Sequence, residues 1–138
     1  MSEQNKMTAR RIFEEIESQG NLAVADEIFA SDFVHRTPLG ENHGPEGAKQ
    51  FVSMLRRAFP DLHSTVEDQI SDDDKVATRF TARGTHRGEL QGIPASGKMM
   101  EITGIVISRF ANGKIVEQWG NPDLLGMMQQ IGAIPEPE

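Results

Sequence analysis

Four histidines, His35, His43, His63 and His86, have ordinary pKa values nearest neutrality and are the first candidates for moving a proton. None pairs with another at metal-ligand spacing on a helix, and no Gly-x-Ser-x-Gly elbow supplies a serine nucleophile. Cysteine and tyrosine are absent, which removes a thiolate nucleophile, a disulfide frame, a zinc–thiolate site and a phenolic acid. His43 lies in a glycine-rich loop and His63 at a strand start, so both are expected to be exposed. His35 follows Phe33 and Val34, and His86 closes the packed face of a strand. Burial at either place would keep the imidazole neutral at pH 7, able to accept a proton or polarise a carbonyl. The competing reading for each is a core histidine bonded to backbone.

Two other patterns invite a chemical reading and do not sustain it. Gly92 to Lys98 has the spacing of a phosphate-binding loop, but Met99 stands where Ser or Thr must follow, and a β-branched strand follows rather than a helix. Asp72, Asp73 and Asp74 are adjacent, with neither the alternate spacing nor the distal Glu of a calcium loop, and read as a charged turn.

The elements that must position these residues follow from periodicity. A helix is expected from Met7 to Gln19, with Met7, Ile12, Phe13 and Ile16 on one apolar face and Arg10, Arg11, Glu14, Glu15 and Glu17 on the opposite face. A second covers Leu22 to Ala30, a short extended segment Phe33 to His35, a loop Arg36 to Gly44, and a third helix runs from Pro45 to about Phe59. The period then changes from 3.6 to 2. Strands are expected over His63–Ile70, Lys75–Arg87, Met99–Phe110 and Lys114–Trp119, with hairpin turns at Ser71–Asp74 and Ala111–Gly113. Val76, Thr78, Phe80, Ala82, Gly84 and His86 share a packed face, opposite Arg79, Arg83 and Arg87. On the last strand, alternation groups Val116, Gln118 and Gly120 on one face and Ile115, Glu117 and Trp119 on the other. Pro122 opens a final helix, and Pro135–Glu138 is a tail. Helices, then an antiparallel sheet, then a helix is an α+β order.

The 138 residues suit one domain, 1–138 with an ordered core of about 7–132, large enough to bury about two-thirds of its extended surface and to hold a pocket. Twenty-one acidic against fourteen basic residues give a net charge of -7, a field that repels phosphate backbones, so no nucleic-acid partner is expected. No apolar run reaches membrane-spanning length and no leader pattern opens the chain, so no membrane partner and a cytoplasmic location are expected.

Phe33-Val34, Gly44-Pro45-Glu46-Gly47, Phe59-Pro60-Asp61-Leu62, Gly84-Thr85-His86 with Gly88, Gly92-Ile93-Pro94 with Gly97, and Asn112-Gly113-Lys114-Ile115-Val116-Glu117 with Trp119 occur in that order. Together, over about Met7 to Gly132, they resemble the SnoaL-like polyketide cyclase (ester cyclase) group of the nuclear-transport-factor-2-like superfamily. The resemblance implies a cone: a curved, mostly antiparallel sheet packed on N-terminal helices around an apolar pocket, commonly as a homodimer. It also implies intramolecular aldol chemistry on a small apolar or aromatic carbonyl compound, with no metal or organic cofactor. Many members follow the tryptophan motif with an aspartate that acts as acid–base; here that position is Gly120, and Asp123 matches a more peripheral acid. His35 and His86 then remain as the expected catalytic pair, with Met54, Phe59, Phe80, Gln118, Trp119 and Gly120 as expected pocket positions. Asp61, Glu117 and Asp123 stand open as replacements for the absent carboxylate. Two alternatives are a binding protein that has lost the acid and a structural dimerisation module.

Overall fold

A computed structural model describes residues 2–135; the expected tail lies outside them from residue 136 on. Helix α1 (Ser2–Arg11) starts earlier than the apolar spacing suggests, with Glu3 in its first turn and Arg10 and Arg11 in its last, charges that complement the helix dipole. It runs directly into a π turn, Ile12–Glu17, closed by the Ser18 N–H to the Phe13 carbonyl at 3.1 Å. Five residues of α-helix would carry Glu17 about 140° round from Ile12. Bonds from residue i to i+5 widen the turn and bring Glu17 back toward the inward line of Ile12, Phe13 and Ile16. The expectation that Glu17 faces away from the core is therefore corrected, as is that of Met7 on the apolar face, since Asn5 and Ala9 are the buried residues of α1 and Met7 is exposed.

Helix α2 (Val24–Ile28) ends two residues early because the chain at Phe29 has already turned extended. Strand β1 (Phe29–Thr37) is longer than the expected Phe33–His35 segment, and β2 (Gly40–His43) occupies what reads as loop. Pairing accounts for both: β1 lies antiparallel to β2 on one side and parallel to β6 on the other. Helix α3 (Gly44–Ala58) carries Pro45 in its first turn, where no N–H is required. It delivers the chain to the far edge of the sheet. From there β3 (His63–Asp72), β4 (Lys75–Thr85), β5 (Met99–Ala111) and β6 (Lys114–Pro122) return strand by strand, giving the order β2-β1-β6-β5-β4-β3. Helix α4 (Leu124–Gln130) closes the chain, its N-terminus capped by Asp123 accepting from the Gly126 N–H at 2.9 Å.

The six-stranded, mostly antiparallel curved sheet packs its inner face on the N-terminal helices, as the α+β reading expects. Burial alternates along β4 and β5: Val76, Thr78, Phe80 and Ala82 face inward, as do Met100, Ile102, Val106, Ser108 and Phe110. Strand β6 breaks the alternation. Phe110 pairs with Ile115 and Arg109 with Glu117, so Val116 is an extra residue, a β-bulge. Ile115 stays inward on one side of the bulge, and Gln118 and Gly120 turn inward on the other. Trp119 therefore points to the outer face beside Ile105 and Ile107, and its expected place in a pocket wall is corrected.

Candidate functional site

Between the inner sheet face and the helices lies a cavity of about 100 Å³ with a predominantly apolar wall. Phe29, Phe33, Phe51, Phe59 and Phe80 contribute aromatic surface, and Ile12, Ile16, Val106 and Met127 aliphatic surface. Of its lining residues, Pro38, Leu39 and Gln91 are also exposed, which places the mouth between the β1–β2 turn and the long β4–β5 loop. Polar groups in the wall are few: His35 and Thr37 from β1, Gln118 from β6, Gln91 from the loop and Glu17 from the π turn.

His35 and Gln118 are register partners across the parallel β1–β6 pair, and both point inward. The His35 ring lies against Phe33 (centroids 6.2 Å) and meets Phe51 edge-on at 4.9 Å. Burial, with no hydrogen bond contributing, pushes its pKa down to about 4, so the ring is a neutral imidazole at pH 7. Gly120 sits beside it: a Cβ there would stand 3.4 Å from His35 Nε2, an ordinary contact distance. The absent side chain thus leaves room next to the imidazole that a bound molecule can use. A neutral imidazole with so low a pKa is a weak base but a good donor to a carbonyl oxygen in an apolar wall.

Glu17 enters from the opposite flank. Ser64 on β3 donates its hydroxyl to Glu17 Oε1 at 2.7 Å, and three strands, β6, β5 and β4, separate β3 from β1. The turn that carries it is stapled to the same strand, since Ser18 Oγ accepts the Ser64 N–H at 2.9 Å and donates to the Phe13 carbonyl at 2.7 Å. Burial raises the Glu17 carboxyl to about 7, the Ser64 bond working in the opposite direction. Its signal in the sequence is faint: helical spacing turns it outward, and only the π turn turns it back.

The three carboxylates left open as substitutes for Gly120 are all committed outside the cavity wall. Asp61 accepts the Thr85 N–H at 2.7 Å and its hydroxyl at 2.8 Å, bonds that hold its pKa below the usual range. Glu117 is depressed by hydrogen bonds from Arg36 at 3.0 Å and Arg109 at 3.1 Å. Asp123 caps α4.

The structure brings together His35, Phe59, Phe80, Gln118 and Gly120 of the expected site, and leaves out three. His86 is fully buried, but it stands behind Phe59 (centroids 5.5 Å) rather than in the wall. Its Nδ1 accepts the Ser96 N–H at 3.2 Å, which puts the ring proton on Nε2, a buried atom with no partner among the described residues. Past Thr85 the His86 N–H donates to the Lys98 carbonyl at 2.9 Å and the His86 carbonyl accepts the Gly97 N–H at 2.7 Å, which ties the end of the β4–β5 loop to the strand at this ring. Met54 lies outside the wall, with its sulfur 3.0 Å from Gln91 Nε2. Trp119 is on the outer face for the reason given by the bulge.

A family model for SnoaL-like polyketide cyclases matches residues 7–131. The aklanonic acid methyl ester cyclase DnrD of Streptomyces peucetius is 32% identical over 128 residues, 86% of this chain and 87% of that protein. The nogalonic acid methyl ester cyclase of Streptomyces nogalater is 26% identical over 116 residues, 82% of this chain and 87% of that protein. Among solved structures, one assigned as a SnoaL-like polyketide cyclase from Jannaschia sp. CCS1 superposes with a TM-score of 0.89 at 28% identity, covering 97% of this chain and 95% of its own. IdmH of Streptomyces antibioticus, assigned as a polyketide cyclase, gives a TM-score of 0.81 at 34% identity, covering 94% and 99%.

Proposed function

Because this chain belongs to the SnoaL-like polyketide cyclase family, we propose that it carries out proton-transfer chemistry at carbon, enolisation leading to aldol ring closure, on a small apolar carbonyl compound held in the cavity. The observation that carries this reading is the neutral His35 imidazole in an otherwise apolar wall, next to the space left by Gly120. A carbonyl oxygen placed in that space accepts from the ring, which draws charge from the adjacent C–H bonds and makes them easier to ionise. The apolar wall excludes water and folds a flexible chain so that its reacting carbons meet. The cavity is on the scale of the roughly 150 Å³ apolar spaces that admit a benzene ring, so a compound with one or two rings is the substrate class, the larger ones parting the mouth at Leu39 and Gln91. The residues expected to act are thus narrowed from the pair His35 and His86 to His35, with Phe80 and Phe59 as walls.

The test is exchange of the α-hydrogens of 2-indanone in deuterated water. The wild-type protein should accelerate it above buffer, and His35→Phe, which keeps a ring in the same apolar setting, should lower the acceleration by about 100-fold or more. Equal rates would remove His35 from the reaction. A second reading, a binding protein that has lost its acid, is favoured by Gly120; 2-indanone that raises Tm with no exchange would establish it. For quaternary structure we propose a second copy of the chain on the outer sheet face, where Ile105, 49% exposed, lies across from Arg79 and Ile107, 37% exposed, across from Ala77. Light scattering on the purified protein reads this directly, and a monomer at micromolar concentration would exclude it.

A further inference from the structure

We propose that Glu17 is the general base of this cavity, taking the proton from the carbon next to the carbonyl that His35 polarises. The proposal rests on the carbon-acid reading above and names the group that reading lacks. His35, with its pKa pushed down to about 4, is a weak base at neutral pH, Gly120 has no side chain, and Asp61, Glu117 and Asp123 are held by Thr85, by two arginines and by a helix terminus. Glu17 is the carboxylate that lines the cavity among the described residues.

Three features of its setting suit the role. The π turn is a departure from regular helix whose effect is to aim this one polar side chain inward, between Ile16 and the aromatic wall. Ser64 holds one carboxylate oxygen, Oε1, and so fixes the direction of the other. Among the described residues no cation pairs with the carboxylate. Arg56 of α3 comes near but donates to the backbone carbonyls of Glu17, at 2.6 Å, and Ser18, at 3.4 Å. On the same turn Glu14 and Glu15 are paired with Arg10 and Arg11 and face away, and His63 beside Ser64 on β3 is exposed. A carboxyl that titrates near neutrality is well matched to accepting a proton from carbon and giving it back.

The step closes on itself. The Glu17 carboxylate removes the α-proton, and the C–H electron pair becomes the enolate, whose oxygen is held by the His35 N–H. The enolate carbon then attacks a second carbonyl carbon of the same molecule, forming the C–C bond, and the proton on Glu17 passes to the new alkoxide. Substrate and product are isomers, and no other reactant is consumed.

The experiment is 2-indanone exchange as a function of pH for the wild type, Glu17→Gln and Ser64→Ala, with ketone binding followed by saturation-transfer NMR. Wild-type exchange should rise with pH through a midpoint of about 7. Glu17→Gln preserves size and the contact with Ser64, and should bind ketone while losing about 100-fold or more of the acceleration. Ser64→Ala should move the midpoint to higher pH, because the lost bond favours the charged carboxylate. Carbon-13 NMR of the Glu17 carboxyl in the ligand-free protein reads the same midpoint without any turnover. Wild-type rates in Glu17→Gln, with an unmoved midpoint in Ser64→Ala, overturn the base assignment and leave the carbon-acid reading standing. No exchange by the wild type above buffer overturns the carbon-acid reading itself, and the base with it.

Discussion

The two flanks of the cavity each draw one titratable side chain out of water and favour its uncharged form, by opposite shifts. On the β1–β6 flank, His35 is pressed between aromatic rings with no hydrogen bond to favour either form, and burial alone drives its pKa down from 6.5 to about 4. On the β3 flank, burial drives Glu17 up from 4.5 to about 7 against the pull of Ser64. The difference lies in the sign of the charge that each group would carry. Desolvation makes the base a poorer base and the acid a weaker acid, so a donor and an acceptor of protons line one cavity without forming an ion pair.

This comparison can be broken first through stability. Glu17 keeps in the folded state a proton that the unfolded chain has released, so its stabilising contribution is complete below pH 4.5 and disappears as pH rises through about 7, a loss of about 3 kcal/mol. His35 works the other way: the unfolded chain takes up a proton below 6.5 that the folded protein refuses until about 4, so stability falls with acidification over that window. The slopes offset one another between the two ordinary values and give a plateau near pH 5 to 6. Glu17→Gln should therefore be more stable than the wild type by about 3 kcal/mol at high pH and indistinguishable from it near pH 4, by urea unfolding. A constant difference at all pH values would show that the carboxyl ionises normally.

The other flank is tested by adding the missing charge. Gly120→Asp places a carboxylate against His35 Nε2 without a backbone clash, and should raise the His35 pKa by about one to three units, read from the imidazole resonances in a pH titration. An unmoved His35 would mean that the new side chain points away from the ring. The smallest effects belong to residues outside the wall. Trp119→Ala and Met54→Ala should leave 2-indanone exchange within about twofold of the wild type, the change expected when a substitution touches none of the site's packing. A larger loss from Trp119→Ala would indicate that the outer face acts on the cavity, through a partner copy for example.

The sequence is most legible where local geometry is regular. Alternation along Val76 to Ala82 gives the inner face of β4 correctly, and it puts Phe80 in the wall. His35 is recoverable because it follows Phe33 by two residues on one strand. Trp119 and Glu17 are misplaced for a shared reason: each follows a point where one residue is added to a regular repeat, Val116 in the sheet and the π turn in the helix. Period counting assigns the wrong face to whatever comes next. Strand β2 is hidden differently, since Gly40 to His43 has turn composition and becomes a strand only because β1 is there to pair with it.

The π turn also has a genetic meaning. It is about one residue longer than the α-helical turn it replaces, and removing a residue between Ile12 and Ile16 would restore regular helix with Glu17 four steps from Ile12, about 40° round and still on the inward side. A single in-frame codon can then be lost here without turning the carboxylate from the cavity, whereas regular helix over the full length would carry it about 140° away from Ile12.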